Sequence, residues 1–182
     1  LLADGTKHYG DFIISAADGY TAIFKMLNGK YINKRIQKYY NDFSIMPPAV
    51  QVSMGINYDL SQEPRYFLVE PDEPVILAGK EQTYLPFQNY SYDKTMSPGG
   101  KTAVTCLLKS SFKYWKELAG ESKLYEAEKH KTAVKIIDIL EKKFPGIHEK
   151  IEYIDVTTPL TYVKYTGAWQ GSYEGWDFTP EI

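Results

Sequence analysis

Two stretches near the start of the chain repeat apolar residues every third or fourth position. The first comprises Tyr20, Ile23, Phe24 and Leu27, and the second comprises Ile32, Ile36, Tyr39, Tyr40 and Phe43. Asn28-Gly29 follows the first stretch and favours a left-handed helix end, whereas Pro47-Pro48 prevents the second from continuing. The pattern therefore predicts two short amphipathic helices that pack near each other.

From Ala49 the apolar positions alternate with polar or small ones, which is the period of a strand with one covered face. The apolar members of this run are Val50, Val52, Met54 and Ile56. Further strand-like runs occupy residues 66–70, 75–78, 83–90, 102–108 and 151–156, with residues 79–82 as a turn. Their spacing predicts a mixed, mainly antiparallel sheet.

Two more helices are predicted in the second half of the chain. Ser111 is placed to cap a short helix that runs to Leu118, and Gly120 precedes a longer helix that begins near Ser122. The apolar stripe of the longer helix comprises Leu124, Ala127, Val134, Ile137, Leu140 and Phe144. Together with the sheet, these elements predict an α+β fold with helices packed on one face of the sheet.

The two ends of the chain differ in character from its middle. Residues 11–15 form a short apolar run after a glycine-bounded turn, which predicts a strand that leads into a loop. Beyond Thr157 the chain is rich in Tyr, Trp, Thr and Gly and has little clear period. Glycines there would allow close backbone approach to a flat partner that the aromatic rings stack upon, or they would belong to an ordinary loop.

Composition and charge narrow the class of protein. With 182 residues, 43% of them apolar, the chain can bury one core. Its net charge is −2 with both signs interspersed, which predicts no nucleic-acid partner and no attraction to an anionic membrane surface. Without a signal-peptide pattern or a membrane-length apolar run, the predicted location is cytoplasmic. The aromatic content of 15% suits a cavity for an elongated apolar ligand, or simply sheet packing.

Residues for hydrolytic, metal-dependent or nucleotide chemistry are not arranged in a recognisable way. No serine lies in a G-x-S-x-G elbow, and His8, His130 and His148 occupy polar positions. The single Cys106 is expected to be a small buried residue, and the acidic run around Asp72 a solvated loop rather than a calcium site. Neither G-x-G-x-x-G nor G-x-x-x-x-G-K-[ST] occurs, so no dinucleotide site is expected within this chain. No catalytic residue and no metal site are predicted.

Three segments carry a set of motifs that occurs in a known family. Residues 3–18 hold an A-D-G turn and a run that ends I-S-A-A-D, and residues 142–146 read K-K-F-P-G. Residues 158–176 read T-P-L-T-Y-x-x-Y-T-G-x-x-x-G-S-x-x-G-W. These motifs resemble phytoene-desaturase-like, NAD(P)/FAD-dependent oxidoreductases, at the points where such chains leave the flavin domain and return to it. The order of helices and sheet between them is also similar, so the resemblance covers nearly the whole chain.

The resemblance implies a longer parent chain that holds FAD, with no cofactor expected in this chain alone. Residues 1–18 would be the strand and junction from the missing flavin domain, residues 19–157 the substrate-binding domain, and residues 158–182 the return segment near the flavin. The residues it assigns to cofactor binding are Tyr162, Thr166, Gly167 and Gly171. Those it assigns to substrate binding are Tyr165, Trp169 and Gln170.

The predicted function is the substrate-binding portion of an FAD-dependent desaturase, saturase or isomerase that acts on a long apolar, polyene-like molecule. Its partners would be that substrate and the flavin domain of the same parent, with a membrane surface as a partner of the parent only. The isolated chain is expected to be colourless and inactive. The alternatives are a self-sufficient carrier of hydrophobic ligands, with a sheet curled around the long helix, and an interaction module that uses surface near Phe12 and Trp169.

Overall fold

A five-stranded antiparallel sheet organises the computed structural model, which describes residues 4–180. Along the sheet the strands follow the order β2, β5, β6, β1 and β7. Their bounds are β1 Ala49–Ile56, β2 Tyr66–Val69, β5 Leu85–Asn89, β6 Thr102–Lys109 and β7 Ile151–Thr157. A separate hairpin consists of β3 Val75–Leu77 and β4 Lys80–Gln82. All pairings between these strands are antiparallel, which confirms the predicted character of the sheet.

The register of the sheet gathers the alternating apolar residues on one face. Val52 lies opposite Cys106 on one side and Val156 on the other, and Phe87 continues the same row beyond Cys106. All four residues are buried. Because side chains of a strand alternate between the two faces, this register gives the sheet one apolar, covered face.

The helices are α1 Lys34–Asp42, α2 Phe112–Leu118, α3 Ser122–Lys143 and α4 Pro159–Thr166, preceded by a π-helix at Thr21–Met26. Short 3-10 turns occupy His148–Lys150 and Trp169–Gly171. The second half of α3 packs on the covered face of the sheet, and Phe144 just beyond it meets the Phe67 ring edge-on, with centroids 5.9 Å apart. The predicted α+β fold is therefore confirmed. No helix within residues 4–180 is both long and apolar enough to cross a bilayer.

Polar groups that α2 buries are paired. The Trp115 indole nitrogen donates a hydrogen bond to Ser110 Oγ at 2.8 Å, and Ser110 Oγ donates to the Ala78 carbonyl at 2.6 Å. The Trp115 ring also meets the Tyr125 ring edge-on, with centroids 5.5 Å apart. This chain of contacts joins α2, α3 and the β3–β4 hairpin into one core.

The predicted strand at residues 11–15 is wrong. This segment makes no ladder with any strand among the described residues, and Phe12, Ile13 and Ile14 are 92%, 84% and 93% exposed. An extended segment counts as a strand only when its backbone groups pair with a neighbour, and none lies beside it. The turn predicted just before it is present at Asp4 and Gly5, whereas residue 3 lies outside the described residues.

Three smaller differences concern element type. Lys80–Gln82 forms β4 instead of a turn, because the reversal is made by Ala78 and Gly79, which adopt positive φ angles of 52° and 74°. Leu124 and Ala127 are exposed although the predicted stripe included them, because Tyr125 makes the contact with the core at that end of α3. The largest difference is α4, which lies in a tail whose pattern predicted no helix.

Candidate functional site

The two ends of the described chain meet at one open cleft of about 600 Å³. Residues 16–19 form one side and the tail from Tyr162 to Trp176 forms much of the other. The lining residues are Ala16, Ala17, Asp18, Gly19, Tyr40, Ile45, Tyr162, Thr166, Ala168, Trp169, Ser172, Tyr173, Gly175 and Trp176. Two of the three segments that carry the family motifs, residues 3–18 and 158–176, are therefore neighbours in space although about 150 residues separate them in sequence.

Asp18 joins the two sides of the cleft. One carboxylate oxygen accepts a hydrogen bond from the Thr21 backbone at 2.9 Å, and the other accepts from the Trp169 backbone at 3.1 Å. The Thr21 hydroxyl donates to the Gly167 carbonyl at 3.1 Å. A carboxylate that receives two backbone N–H groups holds both segments in a fixed relation.

Helix α4 positions the tail, and its ends follow from the sequence. The Thr158 backbone N–H donates to the Thr161 hydroxyl at 3.2 Å in a capping box, and Pro159 occupies the first turn, where its lack of an N–H costs nothing. Gly167 ends the helix in the left-handed conformation, with φ 70°. These residues were a helix signal that the apolar pattern alone missed.

Backbone contacts fix the tail beyond α4 against the segment that follows α1. The Met46 backbone donates to the Gly175 carbonyl and the Asp177 backbone donates to the Ser44 carbonyl, both at 2.9 Å. Ile45 and Trp176 form an antiparallel bridge between them. These contacts hold the tail in a defined position against residues 44–46.

Aromatic rings form a continuous wall around the cleft. The Trp169 ring stacks on Tyr20 with centroids 5.5 Å apart and an angle of 8° between the planes. The Tyr40 ring meets Trp169 edge-on at 5.0 Å and Trp176 at 4.8 Å. Helical spacing predicts Tyr20 and Tyr40 as packing residues of two helices, and the sequence assigns no individual role to Trp176. Their shared position could not be seen, because it depends on how the tail returns to α1.

The cleft offers little charge. Burial raises the pKa of Tyr40, and the nearby Asp18 carboxylate and Tyr20 raise it further. Burial also raises the pKa of Tyr162, with a smaller contribution from Tyr173. Both phenols therefore stay neutral well above physiological pH. Asp18 is the only carboxylate that lines the cleft within residues 4–180, and backbone donors already engage it.

Only some of the seven predicted site residues lie at the cleft. Tyr162, Thr166 and Trp169 line the cleft, and Gly167 adjoins it through its bond to Thr21. Tyr165 lies outside the lining of the cleft, is 74% exposed, and borders a shallow groove beside α3.

Gln170 and Gly171 also lie outside the lining of the cleft. Gln170 is exposed and borders a recess next to Pro47 and Lys80. Gly171 is buried, and a β-carbon there would lie 2.5 Å from the Pro159 carbonyl oxygen, so its place is explained by packing. The binding roles of all seven predicted residues stay predictions.

The second face of the sheet, opposite α3, is the other candidate surface. Leu107 and Gln51 are partners across the strands, as are Gly55 and Tyr153, which places them away from the core side. The exposed apolar residues of this open face are Tyr66, Leu68, Leu107 and Tyr153. A recess of about 320 Å³ runs along it past Tyr66, Pro86 and Leu107, and Tyr173 borders both this recess and the cleft. The recess and the cleft are therefore adjacent, with Tyr173 between them.

The proteins to which this chain is similar are isomerases. It is 27% identical to prolycopene isomerase of Arabidopsis thaliana over 176 residues and 26% identical to that of Daucus carota over 176 residues. It is 24% identical to prolycopene isomerase 2 of an Oncidium hybrid cultivar over 183 residues. Each comparison covers 94% of this chain. The predicted resemblance is thereby confirmed. No family model matches the chain.

The match covers a limited part of each relative. The chain spans 28–30% of the length of these curated proteins, all of which are named as chloroplastic. The relationship therefore supports an enzymatic parent. The location, cofactor and substrate of this protein stay predictions.

Proposed function

We propose that this chain is the substrate-binding portion of an FAD-dependent oxidoreductase, related to phytoene dehydrogenase, that acts on a long apolar polyene. The meeting of the first and last motif-bearing segments, residues 3–18 and 158–176, at one aromatic cleft carries the proposal. Sequence similarity to prolycopene isomerases over 94% of the chain supports it and favours double-bond isomerisation over net desaturation or saturation.

The cleft residues suit one side of a flat ring system. Trp169, Tyr40 and Trp176 present flat, uncharged surfaces, and Gly167 adjoins them with its compact left-handed turn. No phosphate-binding loop exists in this sequence, so these residues fit the ring portion of FAD and not its phosphates. When bound, FAD supplies the electron chemistry of the reaction. The chain itself would orient the reacting bonds and exclude water.

The open face of the sheet suits the rest of an elongated molecule. Tyr66, Leu68 and Leu107 expose apolar surface along it, and the recess lies next to the cleft at Tyr173. A polyene that follows this path would bury its length against the sheet while one end reaches the aromatic wall. Within the cleft, the phenols are neutral and backbone N–H groups already stabilise the Asp18 carboxylate, which limits the cost of bringing an apolar molecule beside it.

An activity assay tests this proposal. The protein in its natural length is supplied with FAD and prolycopene, and the polyene isomers are separated by chromatography. Trp169→Ala is expected to lower kcat/KM about 10- to 100-fold, because a misplaced substrate loses the orientation that the wall provides. Tyr92→Ala removes an aromatic residue that lines neither the cleft nor the recess, and full activity is expected. Equal activity of the two variants would refute the role of the cleft.

The carrier alternative requires a ligand cavity in this chain alone. Side chains fill the space between the sheet and α3, where Trp115, Phe87, Ile136 and Leu140 are fully buried, so a carrier would have to use the outer cleft. Titration of the isolated chain with a polyene separates the alternatives. Tight binding without flavin would favour a carrier, whereas weak binding and a colourless protein are expected for a substrate-binding portion.

A further inference from the structure

Tyr173 lies at the boundary between the cleft and the recess on the open face of the sheet. Within residues 4–180 it is the one residue that lines both spaces, which measure about 600 Å³ and about 320 Å³. In the segment after α1, Ile45 lines the cleft whereas Pro47 and Ala49 line the recess. A molecule that occupied both spaces would therefore pass beside the Tyr173 ring.

The backbone that carries Tyr173 is held in place on both sides. Ser172 Oγ accepts a hydrogen bond from the Gly175 N–H and donates one to the Gly175 carbonyl, both at 3.1 Å. The same carbonyl accepts a hydrogen bond from the Met46 backbone at 2.9 Å. On the other side, Gly171 is buried against the start of α4. The turn that carries Tyr173 is therefore tied both to the segment after α1 and to α4.

The side chain of Tyr173 presents a flat, uncharged ring between the two spaces. It stacks on the Tyr162 ring with centroids 6.1 Å apart, and Tyr173 is 45% exposed. Burial raises the pKa of Tyr173, and the Glu174 carboxylate raises it further, so the phenol is neutral at physiological pH. The ring can therefore contact an apolar chain without placing a charge beside it.

A polyene offers the cleft few means of fixing its position along its length. Its repeating apolar units resemble one another, and they carry no polar group that a hydrogen bond could hold. A steric feature can choose among such positions, because a clash excludes the wrong ones even where the attractive contacts are equal. The Tyr173 ring is such a feature, and it lies where the chain would leave the cleft.

We propose that Tyr173 is a positioning residue that sets the register of an elongated polyene between the cleft and the recess. Its ring, and not its hydroxyl group, determines which double bond lies beside Trp169 and Tyr40. This inference rests on the proposed function and adds to it the residue that selects the bond that reacts.

Analysis of the products tests this role with the protein in its natural length. FAD and prolycopene are supplied, and the unaltered protein is expected to form one principal isomer. Tyr173→Ala is expected to lower the ratio of this isomer to the others by at least about fivefold, because the chain can then slide into registers that the ring excludes. The kcat/KM for total consumption of prolycopene is expected to change less than about threefold. Tyr173→Phe keeps the ring and is expected to keep the product ratio.

A binding measurement separates positioning from affinity. Quenching of tryptophan fluorescence by prolycopene reports occupancy of the cleft, because Trp169 and Trp176 line it. Tyr173→Ala is expected to keep the dissociation constant within about threefold, since the ring excludes wrong registers and does not hold the chain. Tyr92→Ala is the matched control, because Tyr92 is 47% exposed and lines neither space. Its products and affinity are expected to equal those of the unaltered protein.

The possible outcomes distinguish this inference from the function on which it rests. An unchanged product ratio in Tyr173→Ala would overturn the role of Tyr173 and leave the proposed function intact. An equal loss of selectivity in Tyr173→Phe would also overturn it, because the hydroxyl group would then be the part that acts. Absence of isomerisation by the unaltered protein would contradict both. Circular dichroism checks the folding of each variant, and Tyr173→Leu, which fills part of the same space, is expected to give an intermediate ratio.

Discussion

The core beneath α3 and the cleft between the chain ends both contain a tryptophan among tyrosines, yet they are built differently. Trp115 is fully buried, and its indole nitrogen is bonded to Ser110 within a filled core. Trp169 is only partly buried, and its indole nitrogen makes no hydrogen bond within residues 4–180, so the ring is fixed by Tyr20, Tyr40 and its own backbone. One tryptophan stabilises the fold, whereas the other forms a surface.

The difference in burial between the two tryptophans predicts that one region determines stability and the other is available for binding. A residue that is enclosed on every side contributes mostly to the free energy of unfolding. A ring that packs on the protein with one side and borders a cleft with the other contributes less to the free energy of unfolding, and it remains available to a ligand. The two regions should therefore respond differently to equivalent substitutions.

The largest expected effect is on stability, in the core. Trp115→Ala would leave a cavity and remove the hydrogen bond that Ser110 Oγ accepts, and a loss of about 3–5 kcal/mol in the free energy of unfolding is expected. Trp169→Ala is expected to lose about 1–2 kcal/mol, because that ring is only partly buried. Urea unfolding followed by circular dichroism measures both. Equal losses would break the comparison, and a loss at Trp169 without effect on activity would refute its binding role.

The sequence predicted the core well because its signals are local and periodic. The alternation from Val50 to Ile56 identifies β1 and its buried face without knowledge of its partners. Ile137, Leu140 and Phe144 were likewise assigned to the core from helical spacing. Such patterns reflect a simple requirement that one face be covered.

The cleft was predicted only in part because its parts are distant in sequence. The resemblance indicated Tyr162, Thr166 and Trp169, all of which line it. Tyr40 was missed, since helical spacing explains an aromatic residue on α1 equally well by packing. Residues 11–15 failed for a related reason, because an apolar run predicts a strand only if a pairing partner is present. The period of apolar residues predicts which side chains are buried, but it does not identify the residues that they contact.

A loss of stability of intermediate size is expected where the tail packs against the start of α4. Gly171 has φ 69°, and a β-carbon there would lie 2.5 Å from the Pro159 carbonyl oxygen, so Gly171→Ala would strain its own backbone and push the tail away from α4. A loss of about 2–4 kcal/mol in the free energy of unfolding is expected.

Gly175 is the matched control for this substitution. It has φ 83°, but a β-carbon would meet nothing within 4 Å. Gly175→Ala is therefore expected to cost about 1 kcal/mol from backbone strain alone. The same urea experiment measures the pair. Similar losses at the two glycines would show that close packing of the tail on α4 is unimportant for the wall.

The smallest effect concerns the tyrosines of the wall at high pH. Burial, with the Asp18 carboxylate and Tyr20 as further causes, raises the pKa of Tyr40 above the usual value near 10. The folded state therefore keeps this proton longer than the unfolded state does. The resulting stability is fully present below about pH 10 and is lost as the pH rises through the folded-state pKa. Tyr40→Phe keeps the ring and removes the titrating group, so a shallower fall of stability above pH 10 is expected.

Asp18→Asn separates the causes of this shift. It removes the second contribution and leaves the largest, burial, in place, so the pKa of Tyr40 is expected to fall part of the way toward its usual value. Alkaline titration of phenol absorbance, compared with Tyr40→Phe under the same conditions, identifies the signal of Tyr40. No change in Asp18→Asn would mean that the carboxylate does not act on the wall electrostatically. Its part in the cleft would then be limited to joining the chain ends through Thr21 and Trp169.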